Sequence, residues 1–337
     1  MKAVVQERYG SPDEVLQLRE IDKPVPKDDE VLVGVRAASM HPDIWHAVTG
    51  LPYILRIMGM GLRKPKVRIP GTDLAGHVES LGKNVTRFKV GDEVFGESSL
   101  RLFGFGDTYA EYATVPQDAL ALKPRNVSFE QAAVVPTSGS VALLSLGLAG
   151  TLNADKHVLI NGAGGCVGSI AIQIAKAKGA RVTGIDCTEK LAMMRLLGAD
   201  HVIDYRKENF LVRSELYDFI LDVATTLSFV DCKRVLTPTG LYWATGHGNY
   251  GVGAGGKLFG HGMLPFGMFA RIPFDKQLPK INLKPPSKQD TFTALQALLE
   301  SGKLAPIIAK TFPLSEVPTA IRCLQEGRTP GRIIITP

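Results

Sequence analysis

Cysteine is scarce in this 337-residue chain: there are four, at positions 166, 187, 232 and 323, with no Cys-x-x-Cys spacing. They are too few and too scattered to staple a chain of this size, so free thiols in a reducing cytoplasm are expected. Also missing is any dense basic run interleaved with aromatics. Lys+Arg at 39 against Asp+Glu at 33 is a mild excess that favours solubility or an anionic ligand over nucleic acid. The opening MKAVVQERYG places Glu7 and Arg8 where a signal peptide would carry its apolar core, so export is not expected. The 24 uncharged residues between Glu130 and Asp155 are broken by Pro136, Gly139, Gly147 and Gly150, and read as a buried segment of a soluble protein. No internal repeat is visible, which excludes solenoids and propellers. Neither nucleic acid nor a membrane is expected as a partner.

What is present begins with length, which at about 150 residues per domain gives roughly two domains, and with glycine. Ten of the 35 glycines lie between Gly240 and Gly267, and four more fall from Gly162 to Gly168. The first ~120 residues read as short strands, among them Lys2–Gln6, Glu30–Ala37 and Ala75–Glu79, punctuated by Pro/Gly/Asp clusters in a barrel or sandwich rhythm. After Pro124 the rhythm changes. Ser128 with Glu130–Gln131 resembles a capping box, and strands at Val158–Asn161, Arg181–Asp186, Val202–Tyr205, Phe219–Val223 and Leu241–Ala244 alternate with helices at Val167–Lys178, Glu189–Leu197 and Leu227–Leu236. That alternation predicts an α/β, doubly wound parallel sheet. A helix at Asp290–Ser301 and a strand at Ile333–Thr336 close the chain.

The strongest chemical signal is the run from Val158 to Gly168. A buried strand passes into Gly162, Ala163, Gly164, Gly165 and then into a helix opening at Cys166 and Val167. Gly162 and Gly164 suit the tight turn, Gly165 leaves bare backbone for a pyrophosphate, and Gly168 lets helix and strand pack closely. The helix N-terminus offers N–H groups to the phosphates. Asp186 ends the next strand about 20 residues on, where a ribose hydroxyl is expected. It favours NAD(H), unless it merely solvates the strand end. Thr188, Lys190, Tyr205 and Arg206 are placed to surround a 2′-phosphate. The backbone from Ala244 through Thr245 to Gly246, beyond the fifth strand, is a candidate nicotinamide contact. The remainder to Gly267 reads as an apolar lid, a loop or a dimer contact.

Several motifs occur in a specific order: Pro70-Gly71-Thr72-Asp73-Leu74-Ala75-Gly76, Val90-Gly91-Asp92-Glu93-Val94-Phe95-Gly96, Tyr109-Ala110-Glu111-Tyr112, the glycine turn, Leu197-Gly198-Ala199-Asp200-His201-Val202-Ile203-Asp204-Tyr205 and Pro330-Gly331-Arg332-Ile333-Ile334. Together they resemble the medium-chain dehydrogenase/reductase superfamily, in its zinc-independent quinone oxidoreductase branch, over the whole chain. The resemblance implies a Rossmann domain at 126–272 inserted into a GroES-like barrel built from 1–125 and 273–337, with NAD(P)H in the cleft between them. It also implies NADPH use and a homodimer. Zinc-dependent relatives carry Cys-His, Gly-His-Glu and a junction cysteine where this chain has Met40-His41, Gly71-Thr72-Asp73 and roughly Ser138. No catalytic metal is therefore expected, since methionine is a poor ligand beside thiolate and imidazole.

His41-Pro42-Asp43 stands where the branch usually has Asn-Pro-x-Asp. His41, with Asp43 beside it, is the candidate proton or hydrogen-bond donor to a substrate carbonyl, although a histidine closing a turn beside Pro42 reads equally well. Trp45 and Tyr109 are candidates for stacking on a flat substrate. Leu51–Arg68 reads as a pocket wall, a mobile loop or a solvated basic face. The expected function is hydride transfer from NAD(P)H to a quinone or α,β-unsaturated carbonyl compound. The alternatives are alcohol/aldehyde interconversion and a nucleotide-binding scaffold without turnover.

Overall fold

The computed structural model describes residues 1–98, 106–212, 214–246, 270–280 and 286–337, with Lys257 and Met268 besides. The expected lid beyond Gly246 lies almost wholly outside these residues. β1 (Lys2–Val5) and β2 (Gln17–Glu20) form a small antiparallel pair. The larger N-terminal sheet is built on β3 (Glu30–Ser39), which pairs antiparallel with β4 (Asp73–Leu81) and β6 (Tyr112–Pro116); β5 (Glu93–Glu97) and β7 (Leu120–Leu122) continue it beyond β4. Val31, Val33 and Val35 bury their branched side chains against Leu74, Val94 and Val115, as β-branched residues on a pleated surface favour. Three short helices, α1 (Pro12–Val15), α2 (Ile44–Thr49) and α3 (Tyr53–Leu55), lie in the connections of this half.

The chain then enters α4 (Phe129–Val134) through a capping box: the Ser128 hydroxyl accepts from the Gln131 N–H, and the Gln131 side chain accepts from the Ser128 N–H. α5 (Pro136–Gly147) follows. Next come β8 (His157–Asn161), α6 (Cys166–Ala177), β9 (Arg181–Asp186), α7 (Leu191–Leu196), β10 (His201–Asp204), β11 (Tyr217–Asp222), α8 (Phe229–Cys232) and β12 (Leu236–Ala244). The five strands are parallel in the order β10-β9-β8-β11-β12. Every residue of β8 is buried, as a strand covered on both faces requires. The order reverses beside β8, so the crevice above the carboxyl ends of β8 and β11 is the topological switch point.

Two local expectations are corrected. The helix expected over Leu227–Leu236 is the single turn α8 and a tighter turn at Lys233–Val235, after which β12 starts at Leu236. Pro238 and Gly240 fall in β12 where its register against β11 shifts, between the Tyr217–Leu236 and Phe219–Leu241 pairs. The helix expected from Glu189 opens instead as a tight turn, Thr188–Lys190, before α7.

After α9 (Lys288–Glu300) come β13 (Ile308–Pro313), α10 (Val317–Gln325) and β14 (Arg332–Thr336). β14 pairs with β3 at Ala38–Ser39, so the last strand joins the first large sheet. One core runs through both halves: Ala37, Ala75 and Phe95 pack in the same cluster as Leu146, Val158, Phe292 and Leu295.

Candidate active site

At the end of β8 the chain turns at Gly162, whose φ of 78° is left-handed backbone that glycine takes without strain. The Gly162 and Ala163 N–H groups donate to the Ile185 carbonyl at 3.0 and 3.1 Å, tying the turn to β9. A Cβ on Gly168 would lie 2.2 Å from the Gly162 carbonyl oxygen and 2.5 Å from Ala163 Cα, so α6 packs on the turn only because this position is bare. A Cβ on Gly165 would meet nothing closer than the Gly162 oxygen at 3.3 Å. The backbone is therefore open at Gly165, immediately before Cys166 and Val167 begin α6 and expose its first N–H groups.

Asp186 departs from the free carboxylate expected for a ribose contact. It is buried, its Oδ2 accepts from the Gly164 N–H at 2.9 Å, and its Oδ1 accepts from the Cys187 N–H at 2.8 Å. Lys190, also buried, pairs with it at 3.2 Å, so its ammonium is turned inward rather than toward a phosphate as expected. The carboxylate ends up inside because it caps the glycine turn, and the lysine follows it because a buried charge needs a partner. The other predicted residues gather at the same strand ends. Thr188 hydrogen-bonds Asp204, exposed Tyr205 donates its backbone N–H to the Asp186 carbonyl at 3.3 Å, and Arg206 lies over the Tyr205 ring while paired with Glu189.

Across the crevice, Thr245 donates its N–H to the Asp222 carbonyl at 3.0 Å, and Gly246 adopts a φ of 85°. The Thr225 hydroxyl lies 3.2 and 3.1 Å from the Thr245 and Gly246 carbonyls and holds this loop against the one after β11. Thr225 itself sits at a positive φ of 49°, an unusual conformation for a branched residue. Asp222 anchors both loops. Its carboxylate accepts from Asn161 Nδ2, the Leu227 N–H and the Tyr242 hydroxyl at 2.7 to 2.9 Å. Burial pushes its pKa above the ordinary value, against the pull of those donors.

The barrel side of the crevice is assembled from distant parts of the sequence. His41 Nδ1 lies 3.0 Å from Asp43 Oδ2, just past the end of β3, so the two candidate catalytic residues are together. Met40, before them, is fully buried. Behind them Arg332 Nη2 donates to Asp73 Oδ2 at 2.9 Å, and both side chains have no solvent exposure. Arg332 Nε donates to the Ser39 hydroxyl at 3.0 Å, and the Thr137 N–H reaches both Asp73 oxygens at 3.3 Å. Burial disfavours the charged form of Arg332, yet the Cys166 sulfur and the Asp73 carboxylate more than offset it and raise its pKa. Cys166 Sγ donates to the Gly331 carbonyl at 3.3 Å, and the Gly331 N–H reaches the Gly164 carbonyl at 3.4 Å. The glycine turn is thus joined directly to the start of β14, a contact that sequence spacing did not signal. Glu97, paired with Lys288, has its pKa raised by burial and by nearby Asp73.

Among the described residues, seven buried side-chain atoms have no hydrogen-bond partner, and five of them adjoin Gly71–Asp73. They are the hydroxyls of Thr72, Ser98, Thr108 and Ser138, and Arg332 Nη1. Thr108 abuts Gly71, the Ser98 N–H donates to the Thr72 carbonyl, and Ser138 follows the Thr137 that caps Asp73. Trp45 and Tyr109, expected as stacking surfaces, are core residues. Trp45 packs with Ile44 and Val48, and buried Tyr109 directs its hydroxyl to the Ser39 carbonyl. No cluster of three or more His, Cys, Asp or Glu able to hold a metal occurs among the described residues.

Residues 27–125 match the family model for the alcohol dehydrogenase GroES-like domain, and residues 197–335 match one described as zinc-binding dehydrogenase. The chain is 32% identical over 347 residues to an NADPH-dependent alkenal/one oxidoreductase of Arabidopsis thaliana, covering all of this chain and 80% of that one. It is 30% identical to a quinone oxidoreductase of Homo sapiens, covering 99% and 97% of the two chains. Among solved structures, the quinone oxidoreductase from Coxiella burnetii superimposes with a TM-score of 0.82 at 28% identity, covering 100% and 99%.

Proposed function

Because the chain belongs to the medium-chain dehydrogenase/reductase superfamily, in its quinone oxidoreductase-like branch, we propose that it is an NADPH-dependent reductase of quinones or α,β-unsaturated carbonyl compounds that works without zinc, as a homodimer in the cytoplasm. The observation that carries this reading is the junction itself. An open phosphate turn at Gly165 is fastened through Cys166, Gly331 and Arg332 to the end of the interior strand β3, just before His41 and Asp43.

The site's residues fit a dinucleotide. The bare backbone at Gly165 and the first N–H groups of α6 would hold the pyrophosphate, with the unpartnered Arg332 Nη1 near Cys166 adding positive charge. Tyr205, Arg206 and Thr188 would hold an adenosine 2′-phosphate. Asp186 opposes this less than a free carboxylate would, because Lys190 neutralises it. The Thr245–Gly246 backbone, held by Thr225, would take the carboxamide. A bound nicotinamide supplies a hydride, two electrons with one proton, from its C4.

At the acceptor the hydride forms a C–H bond at the electron-poor carbon, and the displaced π pair moves to the carbonyl oxygen. A proton from His41 or water on that oxygen would give an enol, which tautomerises to the saturated ketone; with a quinone, loss of the new ring C–H proton to water as the second oxygen is protonated would give the hydroquinone. With Met40, Thr72 and Ser138 in place of thiolate and imidazole, the donors left to meet that oxygen are His41, held by Asp43, and the free hydroxyls of Thr72 and Ser138. The test is loss of nicotinamide absorbance with NADPH or NADH and a panel of quinones and enones, alongside metal analysis and a comparison of the two dissociation constants. No oxidation with any acceptor, despite cofactor binding, would refute the reductase reading. Stoichiometric zinc would refute the metal-free one, and tighter NADH binding would reverse the cofactor assignment. His41→Gln should lower turnover by on the order of 100-fold.

A further inference from the structure

The segment after α2 combines charge and exposed apolar side chains in an unusual way. From Tyr53 to Arg68 there is no acidic residue, while Arg56, Arg63, Lys64, Lys66 and Arg68 are all basic. Within it Ile57 is 69% exposed, Leu62 66% and Met58 47%. Single exposed apolar side chains need no explanation, but three within six residues do.

The segment is held rather than loose. Tyr9 donates its hydroxyl to the carbonyls of Met60 and Gly61 at 2.7 and 2.8 Å, and the Lys66 N–H donates to the Met60 carbonyl at 2.9 Å. Arg56 donates to the Gly50 carbonyl at 2.7 Å while lying over the Tyr9 and Tyr53 rings. Met60 is buried as the anchor, so the brace fixes the backbone and leaves Ile57, Met58 and Leu62 outward. Arg63, Lys64 and Lys66 stand exposed beside them and make no ion pair with any described residue. Exposed apolar side chains and cations unpaired among the described residues, on one braced segment, are complementary to a surface that is apolar below and anionic at its face.

We propose that residues 53–68 dock the enzyme on an anionic lipid surface, with Ile57, Met58 and Leu62 entering the headgroup boundary and Arg63, Lys64 and Lys66 meeting lipid phosphates and carboxylates. This runs against the absence of a membrane partner expected from composition. Among the described residues no helix is long and apolar enough to cross a bilayer, so the attachment is peripheral. It does not depend on which acceptor the crevice reduces.

The experiment is flotation of the full chain with phosphatidylcholine vesicles, with and without phosphatidylserine, at low and high salt. Binding is expected only with phosphatidylserine and should weaken as salt rises. The pair Lys64→Glu and Lys66→Glu should lower it by at least about 30-fold, and the pair Ile57→Asp and Leu62→Asp should abolish it. Both variants replace exposed side chains, so unfolding temperature and turnover of a water-soluble acceptor should stay at the wild-type value. No flotation of the wild type at low salt, or flotation indifferent to phosphatidylserine and to the lysine changes, would overturn the proposal. So would a dimer that the Ile57 and Leu62 changes convert to monomer without any effect on vesicles, since the occupant would then be a second copy of this chain.

Discussion

The glycine turn and the Asp73–Arg332 junction meet through Cys166 and Gly331 but are built on different principles. The turn is local: seven residues, from Gly162 to Gly168, contain the bend, the open backbone and the close helix packing. The junction is assembled across the chain, its two charges 259 positions apart. Its strength depends on a desolvated ion pair, whereas the turn depends on the absence of side chains. Damage should accordingly take different forms. A fault in the junction leaves a buried charge alone, and a fault in the turn either blocks a ligand or pushes backbone against backbone.

The largest effect is expected from Arg332→Met. It leaves Asp73 without its counter-charge in a site with no solvent exposure, and should cost about 3–5 kcal/mol in urea unfolding. The double variant with Asp73→Asn should recover most of that loss, because the lone charge is gone. If Arg332→Met alone is nearly neutral, the two halves are held by their shared apolar core and the contrast with the turn disappears.

The turn divides the next prediction in two. Gly168→Ala drives a methyl to 2.2 Å from the Gly162 carbonyl, so about 1–3 kcal/mol of stability should be lost. Gly165→Ala meets only one atom, at 3.3 Å, and should unfold within about 0.5 kcal/mol of the wild type. Its methyl nevertheless occupies the proposed pyrophosphate position, so cofactor dissociation constants should rise on the order of 10- to 100-fold. Equal effects from the two substitutions would show that the turn is a packing device alone.

The same difference explains what could be read before the structure. The turn, the capping box at Ser128 and strand Arg181–Asp186 each carry their cause within a few residues, and the sequence placed them closely. His41 and Asp43, two residues apart, were expected side by side and lie so, Nδ1 to Oδ2 at 3.0 Å. Arg332 was legible only as part of a terminal motif, because nothing near it in the chain names Asp73 or Cys166 as its partner. Asp186 was located correctly but given the wrong surroundings. A strand-end acid reads as exposed until the fold brings the Gly164 N–H and Lys190 to it. Ser98, Thr108 and the Thr225 clamp carry no sequence signal, since hydroxyl residues are common in loops and their lack of a partner, or their grip on one, exists only after folding.

Asp222 gives the smallest effect and the closest test of the comparison, because it is a buried carboxylate answered by neutral donors where Asp73 is answered by a full charge. Burial raises its folded pKa above the ordinary value of 3.8, whereas in the unfolded chain it titrates normally. Between those two values the folded state holds a proton that the unfolded state has lost. The contribution to stability is therefore fully present below the ordinary carboxylate range and is lost as pH rises through the folded pKa. Asp222→Asn should remove this part of the slope, measured as unfolding free energy against pH, while the part due to Glu97, raised in the same direction, remains. The amide should also cost about 1–2 kcal/mol at low pH, since in either orientation its NH2 faces a donor, the Leu227 N–H on one side or Asn161 Nδ2 on the other. The Tyr242 hydroxyl adapts: it can turn its proton to the Leu227 carbonyl at 3.3 Å and accept from the new amide. An unchanged slope in Asp222→Asn would mean that the neutral donors hold Asp222 as an ordinary carboxylate, and that dipoles do at this loop what Arg332 does at the junction.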